Sequence, residues 1–193
     1  MAKDDLPILS FPSQRAWEKW LAAQPADAPG VWLMLAKKSC QEPSVVKAEA
    51  IESALVHGWI DGQIKPYDED WFLTRFTPRR ARSGWSKINC NSAERLIAEG
   101  RMKPGGLREV QRAKADGRWD AAYAGQATAT VPKDLQKALN ASPKAKAFFK
   151  TLNSVNRYAI IYRVGSAKKP ETRAARIAKF IAMLERGERI HEK

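Results

Sequence analysis

Two short apolar runs, WIDGQIK at residues 59–65 and WFLTRF at 71–76, bracket the turn-forming stretch PYDED, and no other feature constrains the fold as much. Strand formers on either side of a Pro- and Asp-rich turn read as an antiparallel hairpin. A hairpin is not stable alone, so further strands or helices must cover its apolar side. In WFLTRF, Phe72, Thr74 and Phe76 share one face while Trp71, Leu73 and Arg75 share the other. In WIDGQIK, Ile60, Gly62 and Ile64 oppose Trp59, Asp61 and Gln63. One face of the hairpin suits a core, and the other gathers Trp59, Asp61, Gln63, Trp71 and Arg75. Whether Asp61 meets Arg75 depends on the register.

The segments before the hairpin supply its cover. Ser13 opens SQRAWEKWLAAQ, where Trp17, Trp20 and Leu21 recur at helical spacing and Pro25 closes the run. VWLMLAK at 31–37 follows Pro29-Gly30 and reads as a buried strand, the third of three short strands. SVVKAEAIESALVHG is a helix with Ser44 as its cap, a stripe of Ile51, Ala54 and Leu55, and Gly58 as its stop.

After Arg82 the pattern is helical. NSAERLIAEG starts at Asn91 or Ser92, and Pro104 sits in the first turn of the next helix, which ends at Gly117. GRWDAAYAGQATATVP is a loop, followed by KDLQKALNA, KAKAFFKTL, NSVNRYAIIYRVG and KKPETRAARIAKFIAMLERG, the last with Ile177, Ile181 and Leu184 on one side. The expected class is α+β: a small antiparallel-containing sheet with helices in the N-terminal half, and an all-α C-terminal half. The expected division is residues 1–125 and 126–193, with the packing of the two as one unit left open.

The chain has 193 residues, with 34 Lys and Arg against 21 Asp and Glu, a formal charge of +13 and a pI near 9.9. Such a surface attracts anions. Cys40 and Cys90 lack CxxC spacing, and His57 and His191 are the two histidines, so neither a zinc ribbon nor a metal site is expected, nor any cofactor. No dinucleotide or phosphate-loop fingerprint occurs. The N-terminus carries acids and no apolar run of signal-peptide length, and no stretch suits a membrane span, so the expected location is cytoplasmic.

Three stretches together carry a resemblance: HGWIDGQIKPYDEDWFLTRFTPRRARSGWSKINCNSAERLIAEGRM, DGRWDAAY, and FFKTLNSVNRYAIIYRVGSAKKPETRAARIAKFIAMLERGE. In this order they resemble the YdeI/OmpD-associated family, also labelled bacteriocin-protection proteins, over about residues 14–190. The resemblance implies no established enzymatic activity. It implies, through the family's name, an association with an outer-membrane porin and with bacteriocin resistance.

Candidate site residues come from the run FTPRRARSGWSK at 76–87, part of a stretch from Trp71 to Ala93 without Asp or Glu. Arg75, Arg79, Arg80, Arg82 and Lys87 lie around Trp85, with Ser83 and Ser86 as neutral donors and a helix start near Ser92 as a positive pole. Arginine forks recognise phosphate or carboxylate bidentately, and Trp85 offers a stacking face. The first reading is therefore a pocket for an anionic small molecule built from Trp59, Asp61, Arg75, Arg79, Arg80, Trp85, Ser86 and Lys87. In the competing structural reading, Trp85 packs as an anchor while the arginines bind loop carbonyls or Asp68, Glu69 and Asp70. A separate alternative is nonspecific nucleic-acid binding by the basic C-terminal helices, with Arg173, Arg176 and Lys179 along one side of the last.

Overall fold

Ser13 caps the first helix: its Oγ accepts the Ala16 N–H at 3.3 Å, and α1 (Gln14–Ala22) buries Trp17 and Leu21. The structure, a computed structural model, describes residues 5–192. The Trp17 indole donates to the Ala50 carbonyl at 3.1 Å, tying α1 to α2 (Lys47–Val56). Beside it, Ser53, fully buried, donates to Glu18 Oε1 at 2.9 Å and accepts from Gln14 at 3.1 Å, so this buried hydroxyl is satisfied.

α1 and α2 line one face of a four-stranded mixed sheet in the order β1-β2-β4-β3. Its strands are β1 (Ile8–Ser10), β2 (Val31–Ala36), β3 (Trp59–Pro66) and β4 (Trp71–Pro78), with β1 parallel to β2 and the other pairs antiparallel. The sheet thus has one strand more than the three expected; β1 is three residues long, too short to show alternation. The core between sheet and helices holds Val31, Leu33, Leu35, Phe76 and Trp59 with Trp17, Leu21, Ala50 and Ala54. α3 (Lys87–Ala98) and α4 (Pro104–Ala115) close a second cluster around Leu55, Val56, Trp85, Leu96 and Val110.

Two helix starts differ from expectation. Ser44 does not cap α2: its Oγ accepts from the Ala36 N–H at 3.2 Å, and the cap position is Val46, whose N–H is reached by Glu49 at 3.3 Å. α3 begins at Lys87 instead of near Ser92, because Ser86 Oγ accepts the Asn89 N–H at 3.1 Å.

The described residues divide into two compact units between Ala122 and Tyr123. The second is α5 (Lys133–Ala141), α6 (Pro143–Thr151), α7 (Ser154–Gly165) and α8 (Pro170–Glu185) around Leu135, Leu139, Phe149, Ile160, Val164, Phe180 and Leu184. Ser142 caps α6 and Asn153 caps α7 through their side chains. The chain around His191 is held: buried Asn156 accepts from the Ile190 and His191 N–H groups and donates to the His191 carbonyl at 3.1 Å. The protein is thus α+β, with helices in both halves.

Candidate functional site

The basic loop after β4 is built into the fold. Arg79 is 5% exposed; its guanidinium lies 3.8 Å from the Trp85 ring centre and donates to the Gly84 carbonyl at 3.1 Å. Trp85, 1% exposed, packs against Trp119 with ring centroids 4.9 Å apart. Arg118 donates to the Ser83 carbonyl at 2.8 Å, and Ser83 Oγ accepts the Arg80 N–H at 2.9 Å. Ser86, also buried, is the α3 cap. Arg79, Trp85 and Ser86 therefore have structural partners of their own, whereas Arg80, Arg82 and Lys87 project to solvent.

The hairpin does not place Trp59, Asp61 and Arg75 on one face. Trp59 pairs with Pro78 and Asp61 with Phe76, and cross-strand partners share a face, so both lie on the helix-covered side. Arg75 pairs with Trp32 on the opposite side. Two-residue alternation holds in β2 and β4 as expected, but β3 breaks it: the irregularity between Asp61 and Ile64 leaves Asp61 opposite Phe76 and Ile64 opposite Thr74, so these two share a face instead of opposing each other.

Two of the eight expected residues, Trp59 and Arg79, do meet in a cleft of about 410 Å³, within the range of about 300–1,000 Å³ usual for small-molecule sites. One wall is the end of α1 and the turn beyond it, with Leu21, Gln24 and Pro25; another is the α2–β3 junction, with His57, Gly58 and Trp59. The rest comes from Pro78 and Arg79 at the end of β4 and from Lys103, Pro104, Gly105, Arg108 and Glu109 at the start of α4. The first turn of α4 contains no acid. Glu109, the acid on the cleft wall, is paired with Arg112.

Local backbone chemistry sets the cleft's shape. Lys103 N–H donates to the Val56 carbonyl at 3.1 Å and Arg79 N–H to the Gly58 carbonyl at 2.9 Å, so the end of α2 is pinned to the start of α4 and the exit of β4. Gly58 has φ +83°, and a Cβ there would come within 2.8 Å of the Gly105 carbonyl oxygen. Only a glycine serves both needs. The carbonyl end of α2 thus abuts the amide end of α4, an alignment of opposite partial charges.

His57 is half-buried at this junction. Burial pushes its imidazole below the ordinary value, with Lys103 acting in the same direction and Glu18 against it. A histidine at the end of α2 would favour its charged form on the helix pole alone; here desolvation outweighs the pole and reverses that preference.

His57, Lys103 and Arg108 join the cleft without having been expected there from sequence. The available signal is KPGG at 103–106: a lysine, a proline at N1 and two glycines opening a helix without an early acid. Elsewhere, Arg173 donates to Asp134 and to the Val164 carbonyl at 2.9 Å, and Arg176 to the Arg163 carbonyl and to Ser166 Oγ at 3.1 Å, which leaves Lys179 as the exposed member of that trio. Burial raises the Cys90 thiol, so it lacks the thiolate character of a nucleophile. Among the described residues no group of three or more His, Cys, Asp or Glu is placed to hold a metal ion, and no helix is long and apolar enough to cross a membrane.

Comparison with known families separates the chain along similar lines. Residues 9–109, just over half of it, match the family model described as "Domain of unknown function (DUF8412)". The chain belongs to this family. Every residue of the cleft, from Leu21 to Glu109, falls inside the DUF8412 match. Residues 128–187 match the model described as "Bacteriocin-protection, YdeI or OmpD-Associated". The YdeI/OmpD-associated resemblance therefore holds for α5–α8 and covers part of the chain, not the span of about 14–190 that the sequence motifs suggest. No curated protein and no solved structure matches the chain.

Proposed function

We propose that the chain is a binding protein for a small phosphorylated or carboxylated molecule, held in the cleft at the start of α4. The observation that carries this reading is convergence: Lys103 and Arg108 line one concave site with Arg79, whose guanidinium is held on Trp85 and adds its charge without a free donor fork, and the acid on the wall is already paired. Field lines from like charges in a low-dielectric concavity add, which favours an anion there over the open surface. Leu21, Pro25, Pro78 and Trp59 supply an apolar wall for the rest of the ligand.

The test is a thermal-shift series with phosphate, pyrophosphate, citrate and nucleoside monophosphates on the wild type and on Lys103→Ala/Arg108→Ala. Both side chains are solvent-facing, so the variant should fold. A ligand at about a hundred times its Kd stabilises by about 2.7 kcal/mol. At least one anion should raise the wild-type Tm by several degrees and leave the variant unmoved. Equal shifts in both proteins, or no shift with any of these anions, would sink the reading.

A further inference from the structure

Beyond the cleft, the C-terminal unit holds most of the excess charge: from residue 123 onward the sequence has fifteen Lys and Arg against five Asp and Glu. The acids are unevenly spread. Glu185, Glu188 and Glu192 lie at and after the end of α8, while Asp134 and Glu171 lie near the starts of α5 and α8.

Hydrogen bonds from two arginines fix what else is at that second end. Arg173 joins Asp134, in the first turn of α5, to the Val164 carbonyl in the last turn of α7. Arg176 bonds the Arg163 carbonyl and Ser166. The start of α5, the end of α7 and the start of α8 therefore meet, and with them come Lys133, Arg163, Lys168 and Lys169. All four are exposed, and among the described residues none is in a salt bridge. Arg173 neutralises Asp134, and the two arginines cover the carbonyl pole of α7, which would otherwise repel a phosphate. The helix starts themselves add little positive field, since Asp134 Oδ1 accepts the Leu135 N–H at 2.9 Å and α8 opens on Pro170, which has no N–H, so the field rests on the cations.

We propose that this end of the C-terminal unit binds the phosphate backbone of double-stranded nucleic acid without sequence preference. The four cations stand on the ends of three elements, an arrangement suited to successive phosphates along an extended backbone. Base readout has no support, since Glu171 and Thr172, the exposed residues opening α8, offer none of the bidentate Arg, Asn or Gln pairings. A membrane surface would call for apolar side chains to insert. The exposed large apolar groups of this unit are Tyr123, Val155 and Tyr162; Val155 starts α7 at its far end, and Tyr162 packs edge-on against Tyr123 with centroids 5.0 Å apart.

The experiment is fluorescence anisotropy of the full chain with two labelled duplexes of unrelated sequence across a series of salt concentrations. Each phosphate neutralised contributes about −0.9 to the slope of log K against log salt, so four cations give a slope of about −3 to −4, equal for both duplexes. Lys168→Ala/Lys169→Ala should make the slope shallower by about 2, whereas Arg80→Ala/Arg82→Ala should leave it unchanged. Circular dichroism checks that both variants keep their helices. The proposal is overturned by no duplex binding at low salt, by an unchanged slope in the Lys168/Lys169 variant, or by the same lysines mediating tighter binding to anionic lipid vesicles than to duplex.

Discussion

The Arg79 guanidinium stacks on a buried Trp85 ring and bonds the Gly84 carbonyl, and the contacts serve the loop itself. A desolvated cation–π contact is worth about 2 kcal/mol, and a hydrogen bond to a charged group about 1.5–3 kcal/mol. Removing Arg79 would thus unfold the loop before it revealed anything about a ligand. Lys103 and Arg108 are the informative substitutions at the same cleft. His57 allows a pH test. Burial holds its folded-state pKa below the ordinary 6.5, so the neutral form is the one that fits between Glu18 on α1 and Lys103 before α4. The associated stability is fully present above pH 6.5 and is lost as pH falls through the lower folded-state value. Replacing His57 by Gln removes this contribution. Between about pH 8 and about pH 5, a window that brackets the ordinary histidine range, the wild-type Tm should fall more than that of His57→Gln, as measured by thermal melts in matched buffers. Parallel curves for the two proteins would show that His57 does not titrate with folding.

At the scale of elements, the α2–α4 junction is the least forgiving part of the N-terminal unit. A Cβ on Gly106 would overlap the Val56 carbonyl oxygen and come within 2.6 Å of the Met102 methyl, and both neighbours are buried. Gly106→Ala should therefore cost about 1–3 kcal/mol or more by forced displacement of backbone, read as a lower urea midpoint, although alanine is the better helix former. Stability equal to or above the wild type would mean that the junction yields. The hairpin, the strand VWLMLAK and the helices after Pro104 are legible in the sequence because alternation, proline starts and glycine stops are local signals. The start of α3 is not, because Ser86, Asn91 and Ser92 all qualify as caps, and burial of Trp85 and Ser86 decides among them. Nor is the face that Asp61 occupies, because the pairing of β3 with β4, including its irregularity between Asp61 and Ile64, is a tertiary property.

Over the whole molecule, the cleft is only half legible, since its walls come from residues 21 to 109, and nothing local announces that Pro25, His57 and Lys103 will be neighbours. The helical C-terminal region is easier to read, because the apolar stripe of α8 and its flanking Pro170 and Gly187 lie within one segment. That locality has a consequence for folding. The second unit has its own core of Leu135, Leu139, Ala145, Phe149, Ile160, Val164, Phe180 and Leu184, and its tail is held by Asn156 within the same unit. A chain this short has a small margin, yet a helix-only unit relies on contacts close in sequence, which lowers the entropic barrier to assembly. Residues 123–193 produced alone should give a helical far-ultraviolet spectrum and a cooperative melt. Ile160→Ala, at a fully buried position, should lower its stability by about 2–5 kcal/mol. A fragment with a coil spectrum, or a melt indifferent to Ile160→Ala, would mean that the core does not sustain the unit by itself.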